Sequence, residues 1–187
     1  MNTIFKLFLT IFCLNSIKCA NKNQVLTRFR SIECQADNNT AVMESCYVKA
    51  VSRRTATLNL KIKLLKIYNK PIHIQMILYY RYGNIYREVI DTKPIEWCSI
   101  MAGLTGHLFM MQTIQQIKEV AGDVIHKCPY ENSIEVKNLT LDDNKALDVF
   151  PEGTYKLSWI SYGNKMNIIY RFNVSVFVKS PVKESMG

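Results

Sequence analysis

In three stretches of this chain, apolar and polar residues alternate with a period of two. Leu58, Leu60, Ile62 and Leu64 are interleaved with Asn59, Lys61 and Lys63. Ile72, Ile74, Met76, Leu78 and Tyr80 repeat the pattern after the turn-like Asn69-Lys70-Pro71, and Met166, Ile168, Tyr170, Phe172, Val174, Val176 and Val178 carry it furthest. Successive side chains of an extended chain point to opposite faces, so this spacing describes strands with one face buried and the other in water. Tyr155, Leu157 and Trp159 lead into Tyr162-Gly163-Asn164, a Gly-Asn turn signal, so the last stretch is predicted to return as the second strand of a hairpin. Ile32 and Cys34, then Cys46, Val48 and Ala50, suggest two earlier strands. Tyr82-Gly83-Asn84 suggests a turn into a short strand through Tyr86 and Val89.

Between residues 100 and 121 the period changes. Ile100, Leu104, His107 or Leu108, Met111, Ile114 and Ile117 follow the i, i+3, i+4, i+7 spacing of one amphipathic helix, weakened in its first turns by Gly103, Thr105 and Gly106. About eight strands and a single helix predict a mainly β fold, an antiparallel two-sheet β-sandwich or β-cup with one amphipathic helix at about 100–121. With 187 residues, 48% of them hydrophobic, the chain can order a core, which excludes a disordered chain. No apolar run reaches the roughly 18 residues of a membrane span, so the chain is not expected to cross a membrane.

The first twenty residues read as a segment separate from the fold. Met1 to Lys6 is a short basic region, Leu7 to Ile17 an apolar core, and Cys19 and Ala20 are small, the layout of a secretory signal peptide cut after Cys19. The organisation is then a signal peptide over 1–19, one domain over 21–180 and a polar tail over 181–187. Cleavage leaves four cysteines, Cys34, Cys46, Cys98 and Cys128, and an even count in an exported chain reads as two disulfides. Three connectivities are possible, and pairing of sequence neighbours, Cys34–Cys46 and Cys98–Cys128, is the one expected. The second would pin the helix at both ends. Zinc is the rival use of these cysteines, but there is no Cys-x-x-Cys and there are three histidines in all. N-glycosylation sequons at Asn38, Asn138 and Asn173 agree with export, and Asn173 falls on the polar face of its strand.

No catalytic constellation is present. The nucleophile elbow, the zinc-protease helix motif, the phosphate loop and the dinucleotide fingerprint are all missing. His73 lies on the strand face opposite Ile72 and Ile74 and is expected to be exposed. His107 shares a helix with leucines and methionines and reads as a core or groove-lining residue. His126 is too close to Cys128 to serve as an acid–base group, and Asp142-Asp143 reads as a solvated loop. No enzyme activity, cofactor or metal is therefore expected. The net charge of +9 includes Lys61, Lys63, Lys66 and Lys70 along one strand and its exit. These could attract anionic headgroups or an acidic partner, but a solvated outer face that discourages edge pairing explains the same residues and is the reading preferred. Nucleic acid is not an expected partner of an exported chain.

Several short motifs occur in a fixed order: Cys34, Cys46-Tyr47-Val48-Lys49, Trp97-Cys98 before a helix, His126-Lys127-Cys128-Pro129-Tyr130 and Pro151-Glu152-Gly153-Thr154-Tyr155. Over roughly residues 28–178 the set resembles a large family of small secreted insect proteins of unknown function, expanded in flies, whose chemosensory branch is linked to pheromone perception. That family is similar in outline to the lipid-recognition (ML) superfamily, named after myeloid differentiation factor two, and to the ganglioside-activator protein. The resemblance implies a β-cup whose splayed sheets hold an acyl chain or other apolar molecule. Candidate lining residues are Leu60, Ile62, Leu64, Ile74, Met76, Leu78, Leu104, Leu108, Met111, Trp159, Ile168 and Tyr170, with Met76, Met101, Met110 and Met111 as adaptable surfaces. The expected partner is a lipid or other hydrophobic small molecule, with a membrane receptor as a further candidate. The same residues would also line a filled core, and the alternative is an extracellular protein-interaction module or receptor accessory with no ligand cavity.

Overall fold

The computed structural model describes residues 26–66, 72–104, 106–120, 128, 133–141 and 150–179. The expected signal peptide, the tail, His126, Lys70 and Asp142-Asp143 lie outside these residues. The strands are β1 (Leu26–Ala36), β2 (Ala41–Ala50), β3 (Ala56–Leu64), β4 (His73–Tyr82), β5 (Ile85–Asp91), β6 (Ile95–Glu96), β7 (Ser133–Leu139), β8 (Gly153–Tyr162) and β9 (Ile168–Lys179). Among the described residues, the helices α1 (Trp97–Met101) and α2 (Leu108–Val120) fall between β6 and β7.

Period-two patterning becomes two antiparallel sheets. The larger runs β1-β9-β8-β4-β5, with β6 continuing along the β4 edge where β5 leaves it, and the smaller runs β2-β3-β7. Ile74, Met76 and Leu78 of β4 are buried, alternating with half-buried Gln75 and Ile77, as their spacing requires. β3 is buried on nearly every residue. Asn59, which the alternation placed on the wet face, is 7% exposed, and its Oδ1 accepts the Asn138 N–H at 3.0 Å. That bond closes the ladder where β3 and β7 slip register between Leu58 and Leu60. In β7 the alternation is only Ile134 and Val136, too short a pattern to mark a strand by itself.

Two disulfides fasten this frame. Cys34–Cys46 joins β1 of one sheet to β2 of the other, and Cys98–Cys128 ties α1 to the chain beyond α2. These are the sequence-neighbour pairs.

The structure corrects the helix and one hairpin. The helix predicted at about 100–121 is two helices, because Gly103 takes a positive φ of 73° after α1, the conformation in which helices commonly end. The chain resumes helical hydrogen bonding with the Met111 N–H donating to the His107 carbonyl at 2.9 Å. Cys98–Cys128 accordingly joins α1 to residue 128 instead of bracketing one helix. The β8–β9 connection is longer than a Gly-Asn turn: Gly163 donates to the Asn167 carbonyl at 2.8 Å, and Lys165 and Met166 adopt positive φ. Met166 therefore belongs to the turn. β9 then opens with a bulge, Tyr162 pairing with Ile168 and Ser161 with Tyr170, so that Ile169 is the extra residue.

Candidate ligand-binding cavity

Between the sheets lies a cavity of about 490 Å³. Its walls come from every layer: Leu58, Leu60, Ile62 and Leu64 of β3; Ile134 and Val136 of β7; Ile74 and Leu78 of β4; Tyr155, Leu157 and Trp159 of β8; and Tyr170, Phe172 and Val174 of β9. Phe29 on β1, Trp97 on α1 and Phe109 and Ile117 on α2 also line it. Among the described residues no Asp, Glu, Lys or Arg lines the space. A polar group left unpaired in such surroundings costs on the order of several kcal/mol, and a bare charge far more, so whatever occupies the cavity keeps any charge outside. Among the described residues the exposed members of the lining are His107, Leu108 and Gln112, at the beginning of α2, and they mark its mouth.

The Pro151–Tyr155 motif builds one wall. The Tyr155 hydroxyl donates to the Pro151 carbonyl at 2.9 Å and the Tyr80 hydroxyl to the Glu152 carbonyl at 3.0 Å. Gly153 is required between them, since a Cβ there would stand 2.5 Å from the Tyr80 ring. Phe150, Tyr155 and Tyr80 pack edge to face, with ring centres 5.3 Å and 5.0 Å apart. Burial, and then the neighbouring Tyr80 and Tyr82 hydroxyls, push the Tyr155 phenol up to about 12. Further in, Trp159 stacks on Phe172 and meets Trp97 edge-on at 5.9 Å.

Of the twelve expected lining residues, Leu60, Ile62, Leu64, Ile74, Leu78, Leu108, Trp159 and Tyr170 face the cavity, and Leu108 does so from its mouth at 72% exposure. Met76 is fully buried but lies in the packed layer, with its cross-strand partner Trp159 taking the wall. Leu104 is 79% exposed because Gly103 turns it outward. Met111 is exposed on the outer side of α2, where it packs over Gly106. Ile168 is displaced by the β9 bulge, which puts Ile169 in the wall instead. Of the other adaptable methionines, Met110 is fully buried and Met101 is half-buried against the core.

The remaining candidates are dispersed. His73 is half-buried, between Glu96 of β6 and Tyr162 of β8, and so is less exposed than its strand face implied. His107 lines the mouth and its Nδ1 accepts the Phe109 N–H at 3.3 Å. Lys61 pairs with Glu44 at 2.8 Å, while Lys63 and Lys66 are exposed. Asn38 and Asn138 are exposed, whereas Asn173 is half-buried and accepts the Ser158 hydroxyl at 2.5 Å. Among the described residues no three His, Cys, Asp or Glu side chains cluster as metal ligands, and no helix is long and apolar enough to cross a membrane.

Residues 73–157, from β4 into β8, match the family described as protein of unknown function (DUF1091). Matching solved structures include a Niemann-Pick type C2 protein from Japanese carpenter ant, at 13% identity over 80% of this chain and 90% of that one, with a TM-score of 0.30. Chicken MD-1 complexed with lipid IVa matches at 10% identity over 81% of this chain and 96% of that one, with a TM-score of 0.32. Among curated proteins no match is found.

Proposed function

We propose that this chain is a secreted, non-enzymatic protein that binds or presents a lipid or other hydrophobic molecule in the space between its sheets. The observation that carries this reading is the apolar cavity itself: about 490 Å³, walled by aliphatic and aromatic side chains and free of charged ones among the described residues. Ligand pockets typically span about 300–1,000 Å³ and are lined in this way. Taking about 30 Å³ for a small group, the space holds on the order of fifteen methylene-sized units. Each methylene moved from water contributes about 0.8 kcal/mol, which gives an acyl chain ample driving force. Export over residues 1–19, a single domain over 21–180 and extracellular placement are supported by the leader pattern, the sequons and the two disulfides. A role in chemosensation, with a receptor as the later partner, is what the sequence resemblance supports.

Native mass spectrometry of protein secreted from insect cells tests this directly. The expected result is added mass that disappears on organic extraction, together with saturable uptake of an apolar fluorescent probe by the extracted protein. A ligand-free mass combined with no probe uptake would refute the reading. A surface-acting interaction module would then be favoured, with Lys61→Glu and Lys63→Glu as its test.

A further inference from the structure

The hairpin of β4 and β5 presents a cation on the cavity side of the larger sheet. In an uninterrupted strand, Arg87 would face away from Ile90, which lines the cavity. The register shift at Leu78/Tyr79 reverses this: Leu78 pairs with Ile90, Tyr79 with Glu88 and Tyr80 with Arg87, leaving Val89 as the extra residue. Bulges commonly re-aim a side chain in this way. Leu78 faces the cavity and Tyr80 packs on Tyr155 in its wall, so Ile90 and Arg87 lie on that same face. Glu88 pairs with Tyr79 on the outer face, where Tyr79 and Tyr86 both pack against Lys156.

Arg87 is exposed, and its guanidinium lies 5.5 Å from the centre of the Tyr82 ring. Among the described residues no carboxylate forms an ion pair with it. Rings connect it to the cavity without a break, from Tyr82 to Tyr80 at 4.6 Å, Tyr80 to Tyr155 at 5.0 Å and Tyr155 to Phe150 at 5.3 Å. Phe109, adjacent to Leu108 at the mouth, packs on the same buried group (Leu78, Tyr155 and Val178) as Ile90 and Tyr80. Phe109, beside the mouth, and Tyr80, the cross-strand partner of Arg87, thus pack on one buried group.

We infer that Arg87 receives the charged head of the bound molecule, which makes the ligand an anionic amphiphile, in its simplest form a long-chain carboxylate. The inference rests on the cavity being a ligand site and specifies what that site takes. A chamber without charges accepts the chain and leaves the head outside. The planar guanidinium fork matches a carboxylate in two parallel hydrogen bonds, and the Tyr82 ring holds it in place beforehand.

The test is displacement of a neutral probe, N-phenyl-1-naphthylamine, from the lipid-extracted secreted protein by tetradecanoate and by tetradecanol at pH 7.5. Wild type is expected to prefer the carboxylate about tenfold, the scale of a hydrogen bond to a charged group, and to lose much of that preference in high salt. Arg87→Gln should erase the preference while leaving probe and alcohol binding unchanged, and Arg87→Lys should restore part of it. Equal affinity for the two ligands in wild type, or a preference that survives in Arg87→Gln, would overturn the assignment while leaving the cavity reading intact. Loss of probe binding in Arg87→Gln would overturn it too, by making Arg87 a structural residue. Failure of wild type to bind the probe or either ligand would remove the cavity reading along with it.

Discussion

Val174→Phe separates a hollow interior from a filled one by the sign of its effect. Val174 sits on β9 between Ile32 of β1 and Leu157 of β8, is 5% exposed and lines the cavity. The replacement adds about four carbons, and if they enter empty space they bury roughly 50 Å² of further apolar surface. At about 25 cal/mol per Å² that contributes ~1.2 kcal/mol, less up to about 0.5 kcal/mol of side-chain entropy. For a domain of this size the midpoint of thermal unfolding should rise by about 2–3 °C. The same ring displaces about two methylenes of ligand, weakening an acyl ligand by ~1.6 kcal/mol, or about fifteenfold. In a close-packed core the ring would instead force neighbours aside and destabilise by about 1–3 kcal/mol. Calorimetry of lipid-extracted wild type and variant, alongside probe titration, measures both effects. A variant that melts several degrees lower, or one that binds the probe as wild type does, would refute the claim that Val174 borders open space.

Three further outcomes follow from single features. Removing Cys98–Cys128, whose cysteines are 30 residues apart, should cost about 3.7 kcal/mol on the chain-entropy model, against about 3 kcal/mol for Cys34–Cys46 with a separation of 12; urea titration of the two double-alanine variants should reproduce that order, and the reverse ranking would count against it. Gly153→Ala should destabilise by about 1–2 kcal/mol by driving the Tyr80 ring off its seat. In a Tyr80→Ala background it should cost far less, so an undiminished penalty in the double-mutant cycle would place the strain elsewhere. Because the Tyr155 phenol is raised to about 12, the unfolded chain ionises first as pH climbs past about 10, so Tyr155 contributes stability that is intact below pH 10 and lost between there and about pH 12. The loss attributable to it is on the order of 2 kcal/mol, and Tyr155→Phe should flatten that part of the profile in urea titrations at pH 9 and pH 11.

The strands and the larger part of the wall were legible because both follow from one local rule. Leu60, Ile62 and Leu64 had to share a face whatever they packed against, as did Ile74 and Leu78, and a two-sheet fold turns those faces toward each other. What escaped the sequence were the single-residue departures from the rule. The β9 bulge exchanges Ile168 for Ile169 in the wall, and nothing in Ile168-Ile169-Tyr170 announces which isoleucine is the extra one, because both are β-branched and apolar. Gly103 reads in the sequence as a weak helix residue, but whether a glycine merely weakens a helix or ends it depends on the φ it adopts, here 73°. Its effect was large: Leu104 went to solvent and α2 began afresh at Leu108, at the mouth. Arg87 shows the same limit, since counting by two from Ile90 puts it on the outside and only the unpaired Val89 brings it in. Periodicity thus defines the cavity's walls, while the bulges and turns that interrupt it choose which side chains stand at its opening. Selectivity in a chamber with apolar walls depends on that opening.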